Sequence, residues 1–302
     1  MIDWTIWKVN KKNSKVYNSC PSILNDLDKF ELLIDSFDLP LQLSENKREK
    51  DSMRLKFPSS TLFDVCKSSD YFLDEADLIR YRFWHMMKVR YDCTFFITTK
   101  RAERIQYCLP DDWGEGWKNV VFIISAKDEE DLIKHYTSIR ELPLKHIFIL
   151  FPLVTKEIDL SNSELETKPE LNFRSNVECI ISNGDNYTNS ITDFEWHKKL
   201  SYYAKEKGLA YVFNSTGNYF RLNDKVYKIP REKQISQASK SGIDVSKVVS
   251  KDSLLGEPFI KDGIEWRIEN NVFVPVNVES GDIEYNLFFN SNDILRECIK
   301  TY

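Results

Sequence analysis

The sequence predicts an α/β protein built on a parallel sheet, followed by a small antiparallel β module. Six apolar, β-rich segments recur along the first 244 residues, and helical patterns lie between most of them. Strands that are apolar throughout, rather than at alternate positions, are typical of a sheet buried on both faces. Helical connections make such a sheet parallel, and both a barrel and a doubly wound sheet satisfy the pattern.

The predicted strands are short runs rich in β-branched and aromatic side chains, bounded by polar residues. They cover residues 61–66, 94–99, 119–126, 146–153, 177–183 and 209–216.

Three segments have the spacing of amphipathic helices. Residues 21–35 place an apolar side chain at every third or fourth position. Residues 74–90 begin with acids and end with bases, as the helix dipole favours. Residues 192–207 open with Thr192 and Glu195, which have the spacing of a capping box.

From residue 245 the pattern changes. Residues 264–278 alternate around an Asn-Asn turn, and residues 283–289 have the character of a further strand. The sequence therefore predicts two domains, residues 1–244 and residues 245–302.

Composition excludes several classes of protein. Glycine supplies only 9 of the 302 residues, and neither of the usual phosphate-binding glycine motifs occurs, which argues against a Rossmann or P-loop nucleotide site. The net charge of −5 gives no general attraction to nucleic acid or anionic lipid, so such binding would need a local basic patch.

The cysteines and histidines form no recognisable metal motif. The six cysteines include no CxxC pair, and the four histidines include no HExxH pair. No run approaches the roughly 18 apolar residues of a membrane span, and the amino-terminal residues lack a secretory pattern. We therefore expect a cytoplasmic protein that does not bind membranes.

Seven segments spread over residues 4–244 carry a family resemblance. They read SSDYFLDEAD (68–77), FFITTKRAERI (95–105), LPDDWGEGWKNV (109–120), LPLKHI (142–147), EIDL (157–160), ITDFEW (191–196) and IPREKQISQASKSGID (229–244). In this order they resemble a radical-SAM-like subfamily that phages and mobile elements carry, distantly similar to spore photoproduct lyase. The resemblance implies an incomplete parallel (β/α)6-type barrel for residues 1–244.

The same resemblance implies three cysteines that hold a [4Fe–4S] cluster, whose fourth iron binds S-adenosylmethionine. In this sequence the three positions are Asn10, Tyr17 and Cys20, so one thiolate of three remains. An amide and a phenol do not replace two sulfur ligands at ordinary affinity. We therefore expect no iron–sulfur cluster and no other cofactor, and we treat the three residues as vestigial cluster positions.

Four further departures fall at predicted strand ends. They are Ser125-Ala126-Lys127-Asp128 for an acidic strand end, Phe151-Pro152-Leu153-Val154 for Glu-Pro-Leu-Leu, Ser182-Asn183-Gly184-Asp185 for a Gly-Gly-Glu turn, and Asn214 for a lysine before the retained Thr216 and Gly217. Barrels of this kind place their chemistry at the carboxyl ends of their strands. The resemblance therefore predicts a radical-SAM-like pseudoenzyme with no catalytic residue.

The strand ends still offer a candidate ligand site at the barrel mouth. Its members are Asp70, Thr99, Lys100, Arg101, Ser125, Asp185 and Thr216. Arg101 and Lys100 could hold a phosphate or carboxylate, but a solvated helix start with ordinary ion pairs is the favoured explanation. Ser69 and Asp70 are better explained as the amino-terminal cap of helix 74–90.

Three functions remain open at the level of sequence. The leading hypothesis is an inactive barrel that binds a protein partner or an active homologue, with residues 246–302 and their aromatic side chains as the docking module or as the contact between two copies. An alternative of comparable weight is that these aromatic side chains cover the open side of the incomplete barrel. The second is an enzyme with non-radical chemistry, for which Asp70, Asp185 and Lys100 are the candidates. The third is a nucleic-acid-binding accessory protein that uses the basic cluster of Lys100, Arg101 and Arg104.

Overall fold

The computed structural model describes residues 1–10, 29–33, 36, 38–42, 56–57, 60–168, 173, 177–188, 190–247, 254–257, 259–261, 264–269 and 272–275. Their strands are β1 Ile2–Trp4, β2 Trp7–Asn10, β3 Lys29–Leu32, β4 Leu62–Val65, β5 Thr94–Thr99, β6 Val120–Ser125, β7 His146–Phe151, β8 Val177–Asn183, β9 Ile191–Asp193, β10 Ala210–Ser215, β11 Tyr219–Leu222, β12 Lys225–Lys228, β13 Phe259–Lys261, β14 Ile264–Glu269 and β15 Val272–Pro275. Their helices are α1 Asp77–Val89, α2 Ile105–Cys108, α3 Glu129–Ile139, α4 Glu164–Thr167, α5 Phe194–Lys207 and α6 Arg231–Lys240.

Seven parallel strands form the main sheet, in the order β1-β4-β5-β6-β7-β8-β10. Because each strand lies beside the next one along the chain, the sheet curls in one direction into a half-barrel instead of reversing as a doubly wound sheet does. All six predicted strands are confirmed. The seventh, β1, is too short for its apolar pattern to stand out, and it pairs with β4 through Trp4 and Val65.

The outer face of the half-barrel carries the core. Trp4, on β1, packs edge-on against Phe63 and Phe83 at ring distances of 6.2 and 5.8 Å, and Phe63 stacks on Phe95 at 5.2 Å. All four side chains are fully buried, which joins α1 to the first three strands of the sheet. Burying an aromatic side chain of this size stabilises a fold by about 2–3 kcal/mol.

The inner face of the half-barrel is only partly covered. Side chains alternate between the two faces of a strand. Several side chains of β7, β8 and β10 that point away from the helices are half-buried or exposed, among them Phe148, Leu150, Ile181 and Val212. Among the described residues, these three strands are therefore only partly covered on their concave side.

The helix predicted for residues 21–35 is wrong over its last part. Residues Lys29–Leu32 form β3, which pairs antiparallel with β2, and Trp7 lies opposite Leu32. Phe30 fits the helical spacing of this segment and also the alternating spacing of a strand, and pairing with β2 favours the strand. Residues 21–28 of that prediction lie outside the described residues.

The capping box predicted for the last crossover helix is also wrong. Asp193 caps α5, and its carboxylate accepts from the amide of Glu195 at 3.0 Å. Thr192 belongs to β9, where its hydroxyl accepts from the amide of Asp185 at 3.0 Å. Gly208 ends the helix with a φ of 70°, as its position predicts.

A second, three-stranded sheet has the order β12-β11-β9. Strands β11 and β12 form a hairpin whose two loop residues, Asn223 and Asp224, have φ values of 48° and 63°. Two positive φ values are typical of a type I′ turn, which matches the twist of a tight hairpin.

Strands β13, β14 and β15 form an antiparallel sheet, which confirms the predicted change of architecture after the barrel. The strand predicted at residues 283–289 lies outside the described residues. Residues 254–257 contact the barrel: the Thr94 hydroxyl donates to the Leu254 carbonyl at 2.9 Å, and Lys118 pairs with Glu257 at 2.7 Å. The described helices include none long and apolar enough to cross a membrane.

Candidate functional site

The carboxyl ends of the seven parallel strands lie along one rim of the half-barrel, and we call the loops that follow them the mouth. Thr99 ends β5, Ser125 ends β6 and Asn183 ends β8. The predicted site residues therefore share one end of the fold. Six of them divide into two groups, one after β4 and β5 and one after β8 and β10, and Ser125 lies between the groups at the end of β6.

The first group is organised around Asp70, whose side chain is fully buried. Its carboxylate accepts from the hydroxyl of Thr99 at 2.9 and 3.1 Å, and from the amides of Phe72 and Lys100 at 2.9 and 3.2 Å. The guanidinium of Arg101 lies 3.6 Å away. Asp70 is therefore an internal anchor that ties the loop after β4 to the end of β5.

The prediction that Ser69 and Asp70 cap the helix at 74–90 is wrong. The helix begins with a 3-10 turn at Asp74–Ala76, and no side chain caps either segment. The Asp70 carboxylate points to Thr99 on the neighbouring strand instead, because a buried carboxylate is stabilised by the donors and the positive charge gathered there.

The basic cluster of Lys100, Arg101 and Arg104 is largely neutralised by acids of the same chain. The Arg104 guanidinium pairs with Asp77 at 2.7 Å and also with Asp74. Burial alone would raise the pKa of Asp77, but the hydrogen bonds from Arg104 and Arg80 outweigh it and lower that pKa. Little of this positive charge remains for a phosphate backbone.

The second group is organised around Asp185. Its carboxylate accepts from the amides of Tyr187 and Thr188 at 2.8 and 2.9 Å and from the hydroxyl of Thr188. Burial alone would raise the pKa of Asp185, but these hydrogen bonds hold it below its usual value. Asp185 is thus an ionised loop anchor, only 1% exposed.

The loops after β8 and β10 cross at van der Waals contact. A Cβ atom at Gly184 would lie 2.2 Å from the carbonyl oxygen of Thr216, and one at Gly217 would lie 2.6 Å from the amide nitrogen of Asp185. Only glycine fits at both positions. The retained Thr216 and Gly217 therefore have a structural role in this chain, in which Thr216 and Ser125 are both buried.

The two groups stay apart, because β6 and β7 separate β5 from β8 in the sheet. Asp70 and Asp185 therefore do not form a close acid and base pair.

The positions that the resemblance assigns to a cluster carry an amide at Asn10 and a phenol at Tyr17, and these side chains do not fit an iron–sulfur cluster. Asn10 ends β2, whereas Tyr17 and Cys20 lie outside the described residues. Four other cysteines are buried free thiols, and burial raises the pKa of Cys66, Cys93 and Cys179 to about 12. Protonated thiols do not bind metal. The described residues contain no group of three His, Cys, Asp or Glu side chains suited to a metal.

Asp64 is a candidate that the sequence argument missed. It lies on β4 with its side chain on the same face as the partly exposed inner residues, and it faces Asp3 of β1 in the register. Burial raises its pKa to about 6, with Lys67 opposing and Asp3 adding to the effect. Its only sequence signal is a carboxylate inside an apolar strand.

A buried polar cluster behind the β8 end was also missed. The Ser182 hydroxyl lies 2.8 Å from Nδ1 of His197 and 2.7 Å from the Tyr211 hydroxyl. Burial lowers the pKa of His197 to about 3 and raises that of Tyr211, so both are neutral. Ser182 and His197 are fully buried, so the cluster joins β8, α5 and β10 and offers no access to a substrate.

A cleft of about 690 Å³ lies between α1 and the loop after α2, with Trp84, Cys108 and Trp117 among its lining residues. Trp113 and Trp117 pack on each other at 4.9 Å, and the Trp113 indole donates to the Pro143 carbonyl at 3.0 Å. The two tryptophans therefore order this loop against the barrel.

Comparison with known proteins gives one family match. A family model described as "Protein of unknown function (DUF5131)" matches residues 18–274. No curated protein and no solved structure matches the chain significantly.

Proposed function

Since the chain belongs to the DUF5131 family of unknown function, we propose a role for it from its site and from the resemblance of its sequence: it is a catalytically inactive radical-SAM-like protein that acts by binding a protein partner. The partner is an active homologue or a second copy of the chain, in a cytoplasmic phage or mobile-element system. Residues 246–302 remain part of this proposal as a docking module.

One observation carries the proposal: the mouth carboxylates are engaged internally. Asp70 accepts from Thr99, Phe72 and Lys100, and Asp185 accepts from its own loop. A general acid or base must reach a substrate proton, and neither carboxylate is exposed. The vestigial positions Asn10 and Tyr17 add the loss of two thiolates. With its mouth carboxylates buried, the half-barrel is better suited to binding a partner than to catalysis.

The test of inactivity is anaerobic reconstitution of the full chain with iron and sulfide. The matched control is the double variant Asn10→Cys and Tyr17→Cys, which restores the three-cysteine pattern. We expect stoichiometric iron, a brown colour and S-adenosylmethionine binding in the double variant only. A cluster with an electron paramagnetic signal in the unaltered chain would overturn the proposal. A folded double variant without a cluster would show that the resemblance assigns the wrong positions.

The test of partner binding is the mass of the native chain in solution, alone and mixed with a three-cysteine family member. We expect a defined complex, which a chain ending at residue 257 should lose. This end point keeps Leu254 and Glu257, which hold the segment to the barrel. A chain that stays monomeric both alone and in the mixture would contradict the docking role of the carboxyl-terminal module.

Asp64 is the observation that favours an enzyme with non-radical chemistry instead. A carboxyl group with a pKa of about 6 on an open inner face has the properties of a general acid or base. That alternative requires a substrate for the concave side. It predicts that small polar compounds in a ligand screen shift the titration of Asp64.

A further inference from the structure

The β11–β12 hairpin and the start of α6 carry unneutralised positive charge. Between residues 219 and 240 six side chains are cationic and two are acidic, although the chain as a whole has a net charge of −5. Lys225, Lys228, Arg231 and Lys233 are exposed, and no ion pair is found for them among the described residues. This surface is therefore a local basic patch, whereas the basic cluster of Lys100, Arg101 and Arg104 is largely neutralised by neighbouring acids.

The same surface exposes apolar side chains. Leu222, Val226, Tyr227 and Ile235 are 36%, 47%, 44% and 65% exposed. A sheet edge that served only to prevent aggregation would be polar throughout, because lysines at an edge oppose strand pairing while apolar side chains invite it. The alternation of charged and apolar groups here is the composition of a contact surface.

Strand β12 is the terminal strand of its sheet within the described residues. Because the turn has two residues, Leu222 and Lys225 form the hydrogen-bonded closing pair of the hairpin. The backbone groups of Lys225 and Tyr227 therefore point to β11, and those of Val226 and Lys228 point to the open edge. An extended chain could pair with those groups.

The side chains of β12 define what such a strand must carry. Its sequence is Lys-Val-Tyr-Lys, with Lys225 and Lys228 on either side of Val226 and Tyr227. Directly opposite residues on paired strands share a face and interact. The complementary strand therefore has an acid, two apolar residues and an acid, whichever way it runs.

We propose that the open edge of β12 binds an extended acidic segment of a partner protein, with the pattern acid, apolar, apolar, acid, by strand addition. Main-chain hydrogen bonds supply affinity and the two lysines select the sequence. A peptide fits better than a nucleic acid, because three of the four exposed apolar side chains are aliphatic and cannot stack on bases, and because the chain is acidic overall. The inference rests on the proposed binding role, for which it names a surface and a partner chemistry.

The first experiment measures binding of a fluorescein-labelled peptide with the central sequence Glu-Val-Tyr-Glu between threonines. Its matched probe has Lys-Val-Tyr-Lys at the centre. The protein is the full chain, unaltered or with Lys225→Glu and Lys228→Glu together. We expect the acidic peptide to bind the unaltered chain and to lose about tenfold or more in affinity on charge reversal. The basic peptide should bind only the reversed variant, a gain that misfolding cannot produce.

The second experiment separates strand addition from loose attraction of charge. Val226→Pro removes an amide that faces the open edge, without loss of a hydrogen bond to β11. We expect it to weaken the acidic peptide several-fold, while Val226→Ala retains most of the affinity. Equal affinities for these two variants would overturn strand addition.

Three further outcomes would overturn the proposal. They are no binding of the acidic peptide, binding that charge reversal does not weaken, and displacement of the peptide by oligothymidine at lower concentration, which would assign this surface to nucleic acid. None of these depends on cluster reconstitution. If the acidic peptide does not bind β12, the proposal of an inactive barrel is unaffected. If the unaltered chain forms a cluster, the proposal of strand addition at β12 is unaffected.

Discussion

The mouth of the half-barrel and the β11–β12 hairpin hold their charged side chains in opposite environments. At the mouth, Asp70 and Asp185 are buried; the Asp70 carboxylate accepts from Thr99 at the end of β5, and the Asp185 carboxylate accepts from its own loop. On the hairpin, Lys225 and Lys228 are exposed, with no ion pair found for them in the described part of the chain. A charged residue at the carboxyl end of a barrel strand is therefore not accessible to a substrate merely because of its position. Availability depends on the partners that the fold supplies.

The largest effect on stability is expected from substitution of Asp70, the anchor of the first mouth group. We expect Asp70→Ala to lower the free energy of unfolding by about 3 kcal/mol, because the Arg101 charge and the donors of Thr99, Phe72 and Lys100 lose their acceptor. Denaturant unfolding measures it. Asp70→Asn, which keeps an acceptor, should cost less, and a full-stability Asp70→Ala would show that the carboxylate is not an anchor.

The loop crossing of the second mouth group gives the next effect. Gly184→Ala places a methyl group 2.2 Å from a backbone oxygen, which neither loop can avoid without moving, and we expect a loss of about 2–3 kcal/mol. Gly208→Ala is the matched control. At Gly208 the φ is 70° but no atom lies within 4 Å of the added carbon, so the cost should be about 1 kcal/mol. Equal losses in thermal or denaturant unfolding would mean that the crossing is loose.

The buried polar cluster behind the mouth predicts a pH dependence. Burial lowers the pKa of His197 from 6.5 to about 3, so the unfolded chain takes up a proton between these values and the folded chain does not. Stability from this group is complete above pH 6.5 and falls as the pH drops toward 3, by up to about 1.4 kcal/mol per pH unit. The difference in unfolding free energy between the native chain and His197→Gln, measured at several pH values, isolates this slope. A constant difference would contradict it.

Asp64 should behave in the opposite sense. Its pKa is raised from 3.8 to about 6, so its charge opposes folding above pH 6 and the penalty disappears as the pH falls toward 3.8. We expect Asp64→Asn to stabilise the chain by about 1–2 kcal/mol at neutral pH, with less gain at low pH. A stabilising substitution of this kind is typical of a functional position. Loss of stability at neutral pH would mark Asp64 as a structural residue.

The smallest effect belongs to the hairpin. We expect Lys225→Ala and Lys228→Ala to change the free energy of unfolding by less than about 0.5 kcal/mol, since both side chains are exposed and no ion pair is found for them in the described ranges. Thermal unfolding of the two single variants tests it. A loss of the size predicted for Asp70→Ala would remove the contrast between the two regions.

Much of the fold was predictable from local pattern. The β-rich segments at 94–99 and 177–183 matched β5 and β8 residue for residue, because β-branched and aromatic side chains favour strands. The errors occurred where two patterns were both satisfied. Phe30 fits a helix or a strand, and Thr192 fits a helix cap or a strand position. In each case pairing with a strand distant in sequence, β2 for Phe30 and β11 for Thr192, gave the observed structure.

The sequence by itself determined the parallel α/β architecture and the presence of a further antiparallel β-sheet, because these follow from the periodicity of apolar side chains. Only the tertiary structure decided which charged side chains are hydrogen-bonded or ion-paired within the fold and which are exposed at its surface. Asp70 meets Thr99 across 29 positions and Arg104 meets Asp77 across 27, whereas Lys225 and Lys228 project from an edge strand. Hydrogen bonds and ion pairs act over a few ångströms, and the fold alone brings residues so far apart in sequence within that range.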